Sequence, residues 1–232
     1  MDRTTDRLAA FEQWPESKKR RLLDAAYAEF AEHGYDRAST DAIAKSAGIA
    51  KGLLFHYFGS KKNLYVYLLR HASDLLTAKT IEELEKNAAD GDDFFAYLRA
   101  ITLAKQKVAA AYERQARFLL RAYADPPSAV RVETEAVFRA QREQALRSPY
   151  GLARLTEKLA CDRRLREGVS PETVVRIALD VAEALSARWL KLHRDGAVDL
   201  LRDMSPVVRE LEEVFDVIRH GVFKSGVEGD AE

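Results

Sequence analysis

A short stretch in the first third of the chain carries the side chains best suited to binding a charged partner. Lys51 is followed by Phe55, His56 and Tyr57 in succession, and Lys61 comes soon after. A lysine ammonium can pair with phosphate oxygens, and aromatic or imidazole rings can pack on sugars and thymine methyl groups. Exposed rings on a short helix reduce solubility unless they meet a partner. These residue types therefore predict contact with duplex DNA.

Two short helical patterns on either side of a glycine would position these side chains. Ser39 or Thr40 caps the first pattern, which runs to about Ala47, and the second spans roughly residues 51–58. Gly48 lies between them and can adopt the left-handed conformation that ends a helix. The pattern predicts a helix-turn-helix, the motif that places its second helix in the major groove.

The spacing of small and apolar residues supports this motif. Counting from Thr40, the fifth residue is Ala44, which is small enough for two helices to cross there. The ninth is Gly48, and the fifteenth is Leu54, which would anchor the second helix in a small core. With Leu54 and Phe58 turned inward, the rest of the second helix lies nearer the outside. An alternative is a plain helical hairpin whose aromatic rings pack against neighbouring helices.

At this point the chain resembles the TetR family of transcriptional regulators. The matching stretch is roughly residues 18–69, and its motifs are Leu22-Leu23-Asp24-Ala25-Ala26, Phe30, Gly34-Tyr35, Thr40, Ile43-Ala44, Ala47-Gly48, Lys51-Gly52, Leu54-Phe55-His56-Tyr57-Phe58, Ser60-Lys61 and Leu64. The family often has Tyr-Tyr-His-Phe where this chain has Phe-His-Tyr-Phe, so base preference does not transfer.

The resemblance implies a dimer that reads a pseudo-palindromic operator in successive major grooves. By position, the residues that would touch phosphates are Thr40, Tyr57 and Lys61. Those that would lie nearest the bases are Lys51, Gly52, Leu53, Phe55 and His56.

The rest of the sequence is also helical in pattern. Alternating β-branched runs are missing, and the chain predicts an all-α fold of about nine helices. The helix after the DNA-reading unit could run from Lys61 to beyond Ile81. We expect a DNA-binding domain over residues 15–62, an effector-binding and dimerisation domain over 63–223, and flexible termini at 1–14 and 224–232.

Two long amphipathic patterns close the chain, at about residues 171–195 and 205–222. One apolar face of each could serve the monomer core and the other a partner, or both helices could simply be core. In TetR-like proteins the last two long helices usually build the dimer interface, so the resemblance implies a homodimer through them.

The middle helices of this family usually enclose a ligand pocket. Side chains that could line one here, or could equally be plain core, are Tyr97, Ile101, Tyr112, Phe118, Phe138 and Trp189. A mostly apolar pocket would suit a hydrophobic or aromatic effector. The expected function is therefore a repressor that a small, largely apolar ligand releases from its operator.

Composition limits the alternatives. Charged residues make up 32% and hydrophobic residues 47%, which is typical of a soluble globular protein with a substantial core. No apolar run approaches the roughly 18 residues that a membrane span needs, and the N-terminus has no apolar signal-peptide core. We expect a cytoplasmic protein. Its one cysteine, Cys161, allows no intramolecular disulfide and is expected at a core or boundary position.

The two alternative classes are a helical enzyme and a helical interaction protein. A helical enzyme would need a catalytic constellation, but the five histidines are scattered and no Glu-x-x-His, His-Glu-x-x-His or Gly-x-Ser-x-Gly motif occurs. We therefore predict no catalytic residues, no metal site and no cofactor. A helical interaction protein that does not bind DNA is the other alternative. Replacing Lys51, His56 and Tyr57 together would separate it from a DNA-binding regulator, and specific DNA binding that survived this change would contradict the predicted contact residues.

Overall fold

The structure is a computed structural model that describes residues 3–86, 93–148, 150–200 and 202–222. Over these ranges the regular elements are all helical, which confirms the predicted fold class. They are α1 (Arg3–Glu12), α2 (Glu16–Arg37), α3 (Thr40–Ala47), α4 (Lys51–Phe58), α5 (Lys61–Lys86), α6 (Phe94–Ala111), α7 (Glu113–Ala124), a short 3₁₀ helix (Ser128–Val130), α8 (Arg131–Arg147), α9 (Leu152–Ala160), α10 (Pro171–Arg194) and α11 (Ser205–Val222).

The chain divides into two compact units. The first comprises residues 1–76 and 111–141, and the second comprises residues 77–110 and 142–232. These units are defined by contacts, and they do not coincide with the functional segments predicted from the sequence. The predicted flexible tail at 224–232 lies outside the described residues.

The first unit has a core rich in aromatic rings. Tyr27, Phe30 and Tyr65 surround Phe118, with ring centroids 5.3, 6.2 and 5.1 Å from it. All four are buried. Edge-to-face contacts of this kind favour defined ring orientations, so the core holds α2, α5 and α7 in fixed relation.

The N-terminal segment is a correction to the sequence prediction. Residues 1–14 were expected to be flexible, but α1 occupies most of them, and Phe11 is completely buried. Leu8, Phe11 and Trp14 recur every third residue and all pack on the core of the first unit. Because only two of these residues, Leu8 and Phe11, lie within this short helix, its apolar face is weak in the sequence.

The second unit has its own core. Phe94 and Phe95 from α6 contact each other at 4.9 Å, and Phe95 meets Phe215 of α11 at 6.0 Å. Val174 and Val175 from the first turns of α10 complete this core. Cys161, expected at a core or boundary position, is exposed instead, because it follows the last residue of α9 and its apolar neighbour Leu159 takes the buried position.

Candidate nucleic-acid interface

The turn between α3 and α4 has the geometry that the sequence predicts. Ser39, rather than Thr40, caps α3, since its hydroxyl accepts a hydrogen bond from the Ala42 amide at 3.3 Å. Gly48 ends α3 with φ 67° and ψ 38°. A side chain at Gly48 would meet no atom within 4 Å. The glycine is therefore required by its left-handed backbone conformation and not by a lack of space.

Helix α4 is anchored on one side only. Leu54 and Phe58 are completely buried against a core that includes Ile43, Ala44 and Ala47 of α3. The remaining six positions of this eight-residue helix are not fully buried. One side of α4 is thus fixed to the unit, and the other is accessible to a partner.

The predicted contact residues form a mixed surface. Lys51, Gly52 and His56 are exposed, whereas Thr40, Leu53, Phe55, Tyr57 and Lys61 are half-buried. Six of them belong to α4, and of these Phe55 and Tyr57 also pack against the core of the first unit. Thr40 begins α3, and Lys61 begins α5.

Lys51 is held near the surface by a neighbouring carboxylate. Its ammonium donates a hydrogen bond to Asp41 Oδ2 at 2.8 Å and lies 5.9 Å from the centre of the Phe55 ring. Both members of this ion pair are at least half exposed. Such a pair contributes little to stability, so Lys51 can exchange Asp41 for another partner at small cost.

Tyr57 packs against side chains that precede the helix-turn-helix. Its ring meets Trp14 at 5.0 Å, edge to face, and Phe11 at 6.0 Å. His56 lies 5.0 Å away on the other side. Lys18 places its ammonium over the Trp14 ring at 3.9 Å. Sequence reasoning missed Trp14 and Phe11; their three-residue spacing with Leu8 was the available signal.

Lys61 makes contacts inside the protein that its predicted phosphate role did not anticipate. Its ammonium donates to the carbonyl oxygens of Asp36 and Ala38, both at 3.1 Å, and lies 4.8 Å from the centre of the Tyr35 ring. These carbonyls follow the kink in α2 and would otherwise lack a helical partner. Lys61 therefore fixes the connection between α2 and α3, and only its remaining donor is available to a phosphate.

A second cation, Arg121 of α7, contacts the same part of the chain on the N-terminal side of Gly34. Its guanidinium donates to the carbonyl oxygens of Ala31 and Glu32 at 2.8 and 3.2 Å. Gly34 breaks the helical conformation here with φ 70°. A side chain at Gly34 would also come within 2.9 Å of Arg121. A cation at the C-terminal end of a helix is favourable, but nothing in the sequence pairs Arg121 with this distant turn.

The six candidate pocket residues fall into both units. Tyr112, Phe118 and Phe138 belong to the first, and Tyr97, Ile101 and Trp189 to the second. Phe118 is 1% exposed and enclosed by aromatic rings of the core. Tyr97 donates to the Tyr150 carbonyl at 3.3 Å, and the Trp189 indole donates to Glu210 at 2.7 Å. The structure does not bring all six together within one unit.

The last two helices leave apolar side chains uncovered. In α10 the buried positions are Val174, Val175 and Ala178, all in its first half, and Ile177 is 41% exposed. In α11 Val217 is 73% exposed, although Phe215 beside it is buried. Small residues at 184, 186 and 187 of α10 are also exposed.

Metal chemistry and membrane insertion find no support in the described ranges. These residues contain no group of three or more His, Cys, Asp or Glu side chains that could hold a metal ion. No helix within the same ranges is long and apolar enough to cross a bilayer.

Comparison with known proteins assigns the N-terminal region. Residues 22–68 match the family described as bacterial regulatory proteins, tetR family. The solved structure of a TetR family transcriptional regulator from Chloroflexus aurantiacus is similar over 93% of this chain and 98% of its own, with 26% identity and a TM-score of 0.54. The N-terminal region of the chain, residues 22–68, is thus similar to TetR-family regulators. The family match begins within α2 and ends within α5, so it spans the whole helix-turn-helix.

Two transcriptional repressors of the helix-turn-helix type are similar to part of this chain. The transcriptional repressor AcnR of Corynebacterium glutamicum is 38% identical over 56 residues, which are 24% of this chain and 30% of AcnR. The transcriptional repressor SCO4008 of Streptomyces coelicolor is 44% identical over 55 residues, which are 24% of this chain and 29% of SCO4008. The chain thus matches less than a third of the length of these relatives.

Proposed function

We propose that this protein is a transcriptional regulator of the TetR family that binds a pseudo-palindromic DNA operator as a homodimer. A small, largely apolar ligand then releases it, so that it acts as a repressor. The observation that carries this proposal is helix α4, which buries only Leu54 and Phe58 and leaves Lys51, Gly52 and His56 exposed. That is the arrangement a recognition helix needs in a major groove. Since its proposed target is chromosomal DNA, the cytoplasm is where it would act.

In this proposal residues 15–62 bind DNA, and each predicted contact has a separate task. Lys51, Gly52, Leu53, Phe55 and His56 lie nearest the bases, and Thr40, Tyr57 and Lys61 touch phosphates. Gly52 has open space around it, since a side chain there would meet nothing within 4 Å. That space would let the groove wall approach the helix closely. We assign no catalytic step and no cofactor to the chain.

Residues 63–223 would bind the effector and form the dimer. The uncovered apolar and small residues of α10 and α11 supply a surface that a second copy could bury. Exposed aliphatic side chains such as Ile177 and Val217 favour a protein partner over water. Dimerisation through Pro171–Arg194 and Ser205–Val222 would place two α4 helices on one operator.

The effector is proposed to bind among the aromatic and aliphatic side chains of the regulatory segment. In the second unit, Ile101 packs on the core beside Tyr97, and Trp189 uses its indole N–H on Glu210. Helix α5 is continuous from Lys61 to Lys86 and contributes residues to both units, so it could carry a change to the DNA-binding segment. A ligand shifts this equilibrium only by its differential affinity for the two states.

The decisive experiment is fluorescence anisotropy with the intergenic DNA beside its own gene, titrated across salt. We expect tight binding that exceeds binding to random duplex and weakens as salt rises, with a slope of about −0.9 per neutralised phosphate. Ligand-stripped protein that selects nothing from a random-duplex library would overturn the proposal.

Two lysines provide a matched test of the proposed surface. Lys51→Ala should weaken operator binding and reduce the salt slope by about one unit if Lys51 reaches a phosphate. If it reads a base, specificity should fall instead. Lys107→Ala is the control, since Lys107 is also exposed and paired with a carboxylate, Glu83, but lies in α6. Equal losses in the two variants would contradict the assignment.

The proposed release by a ligand has its own test. Hydrophobic and aromatic compounds would be titrated into the protein–operator complex, and their binding to the free protein would be measured by calorimetry. An apolar compound that binds the protein should lower operator affinity. If compounds bind and none changes operator affinity, the repressor mechanism is wrong even though DNA binding stands.

A further inference from the structure

The outer side of Tyr57 on α4 is closed by two rings from the start of the chain. Trp14 presents its ring to Tyr57 at 5.0 Å and an interplanar angle of 88°, and Phe11 lies 6.0 Å from the same ring. The family match begins at residue 22, so these two residues lie outside the segment that identifies the helix-turn-helix.

Phe11 is the fixed member of this group. It is completely buried and contacts Phe58 at 5.0 Å and Tyr67 at 5.6 Å, besides Trp14 at 5.2 Å. Phe58 belongs to α4 and Tyr67 to α5. Phe11 therefore ties α1 to the buried side of the recognition helix and to the helix that follows it.

Polar contacts hold the end of α1 in the same place. Glu12 accepts hydrogen bonds from the Tyr67 hydroxyl and from the Lys19 ammonium, the latter at 3.2 Å. Lys18 lies over the Trp14 ring at 3.9 Å, within the range of a cation–π interaction. Trp14 is thus held between a buried ring, a cation and Tyr57.

The Tyr57 side chain is held by its neighbours, but its hydroxyl group is left available for a partner. Its hydroxyl has no hydrogen-bond partner among the residues that the structure describes. Its ring is only half-buried. The Trp14 ring limits the torsional freedom of the Tyr57 side chain before any ligand arrives. A group that is already oriented loses less entropy when it binds, so it binds more tightly and more selectively.

We propose that Trp14, supported by Phe11, is a positioning residue that orients Tyr57 toward the operator and so contributes to operator affinity and selectivity. This inference rests on the proposed DNA-binding function. Trp14 acts through Tyr57, and its contribution therefore depends on the presence of the Tyr57 side chain. The contribution is to specific binding, because an uncharged hydroxyl meets its phosphate only when the helix is seated in register in the groove, whereas non-specific binding is set by the charges that face the phosphates.

The test is a double-mutant cycle on the full-length protein, with an operator selected by the wild type. Trp14→Leu keeps an apolar group on Phe11 but removes the aromatic ring, and Trp14→Phe keeps an aromatic ring. We expect Trp14→Leu to lower operator affinity about tenfold with an unchanged salt slope and unchanged affinity for random duplex. Trp14→Phe should restore most of the loss. In a Tyr57→Ala background, Trp14→Leu should cost nothing further.

Controls separate positioning from folding. Tyr123→Ala removes another aromatic contact of the first unit, to Phe138 at 4.9 Å, and should leave operator affinity unchanged. Amide hydrogen exchange in α1 should show that the helix persists in Trp14→Leu. If α1 opens in that variant, Trp14→Phe must still bind like the wild type and the cycle must still show coupling.

Three outcomes would overturn the inference. They are wild-type operator affinity in Trp14→Leu, an equal loss in the Tyr57→Ala background, and an equal loss for random duplex. If the wild type selects no duplex at all, the proposed function fails as a whole. If the wild type selects an operator and Trp14→Leu binds it equally well, only the role of Trp14 fails.

Discussion

The proposed recognition helix α4 and the last helix α11 both leave one side uncovered, but the uncovered side chains differ in kind. On α4 they include Lys51 and His56, with aromatic rings between them. On α11 the most exposed apolar residue is Val217, at 73%, while Phe215 is buried at 7%. Cations and rings suit a polyanion with stacked bases, whereas aliphatic groups suit an apolar protein surface.

This difference shows that exposure alone does not identify the partner of a helix. Both helices are held in place by a few buried apolar residues, and both have exposed side chains that do not pack against the rest of the protein. The family match covers the region of α4 and stops at residue 68, well before α11. Duplex DNA presents the same groove dimensions to every protein that reads it, so the sequence of a DNA-reading unit is tightly constrained. A surface that meets another protein can vary together with its partner.

The largest expected effect comes from removing the anchor of α4. Phe58→Ala deletes a completely buried ring that contacts Phe11 at 5.0 Å and Tyr67 at 5.4 Å. We expect a loss of about 3–5 kcal/mol in the free energy of unfolding, from lost burial and a cavity. Urea denaturation would measure it. His56→Ala, on the exposed side of the same helix, should change stability by about 0.5 kcal/mol or less; similar losses in both would remove the distinction between the two sides of α4.

The second effect concerns the uncovered side of α11. Val217→Glu places a charge where we propose that a second copy packs. Analytical ultracentrifugation should show more monomer, and operator affinity should fall about tenfold or more, which is about 1.4 kcal/mol or more. Val132→Glu is the matched control, because Val132 is 76% exposed but lies in α8. If Val217→Glu stays dimeric and Val132→Glu dissociates, the dimer interface lies in the first unit and the proposed interface is wrong.

A smaller loss of stability is expected when a helix cap is removed, and this loss can be compared between the two units. Ser39 caps α3 and Ser170 caps α10, each accepting an amide hydrogen bond at 3.3 Å. Replacing either by alanine should cost about 1 kcal/mol. Denaturation followed by hydrogen exchange would show whether each loss is confined to its own unit. Ser46→Ala, at an exposed position inside α3, should cause no loss; a loss as large as that of Ser39→Ala would mean that capping is not the cause.

The smallest effect is a pH dependence within the first unit. Burial lowers the pKa of His71 below its ordinary value of 6.5, although the nearby carboxylates Glu12 and Asp74 oppose the shift. The His71 ring is hydrogen-bonded to the Tyr27 hydroxyl at 2.8 Å. As pH falls below 6.5, the unfolded chain binds a proton more readily than the folded one, so stability should decrease.

The free energy of unfolding at pH 7.5 and 5.5 would measure this dependence. His71→Gln should reduce it, whereas His56→Gln, at an exposed position, should leave it as in the wild type. An unchanged pH dependence in His71→Gln would assign the effect to another group.

Sequence reasoning predicted the local elements of the DNA-reading unit well. The bounds of α3 and α4 and the left-handed Gly48 follow from short-range rules, since each depends on residues within one turn. It failed at the N-terminal segment, where the apolar pattern consists of only Leu8, Phe11 and Trp14. It also could not pair Arg121 with the end of α2, since about ninety residues separate them.

By itself, the sequence determined that this chain is all helical and that one short helix presents cations and rings beside a glycine turn. Helical periodicity and turn conformation are properties of neighbouring residues, so they can be read along the chain. Only the tertiary structure decided that Trp14 and Phe11 support Tyr57, and that Lys61 donates to the carbonyls of the α2–α3 connection. Such contacts join residues distant in sequence, and they exist only after burial of the core has brought the helices together.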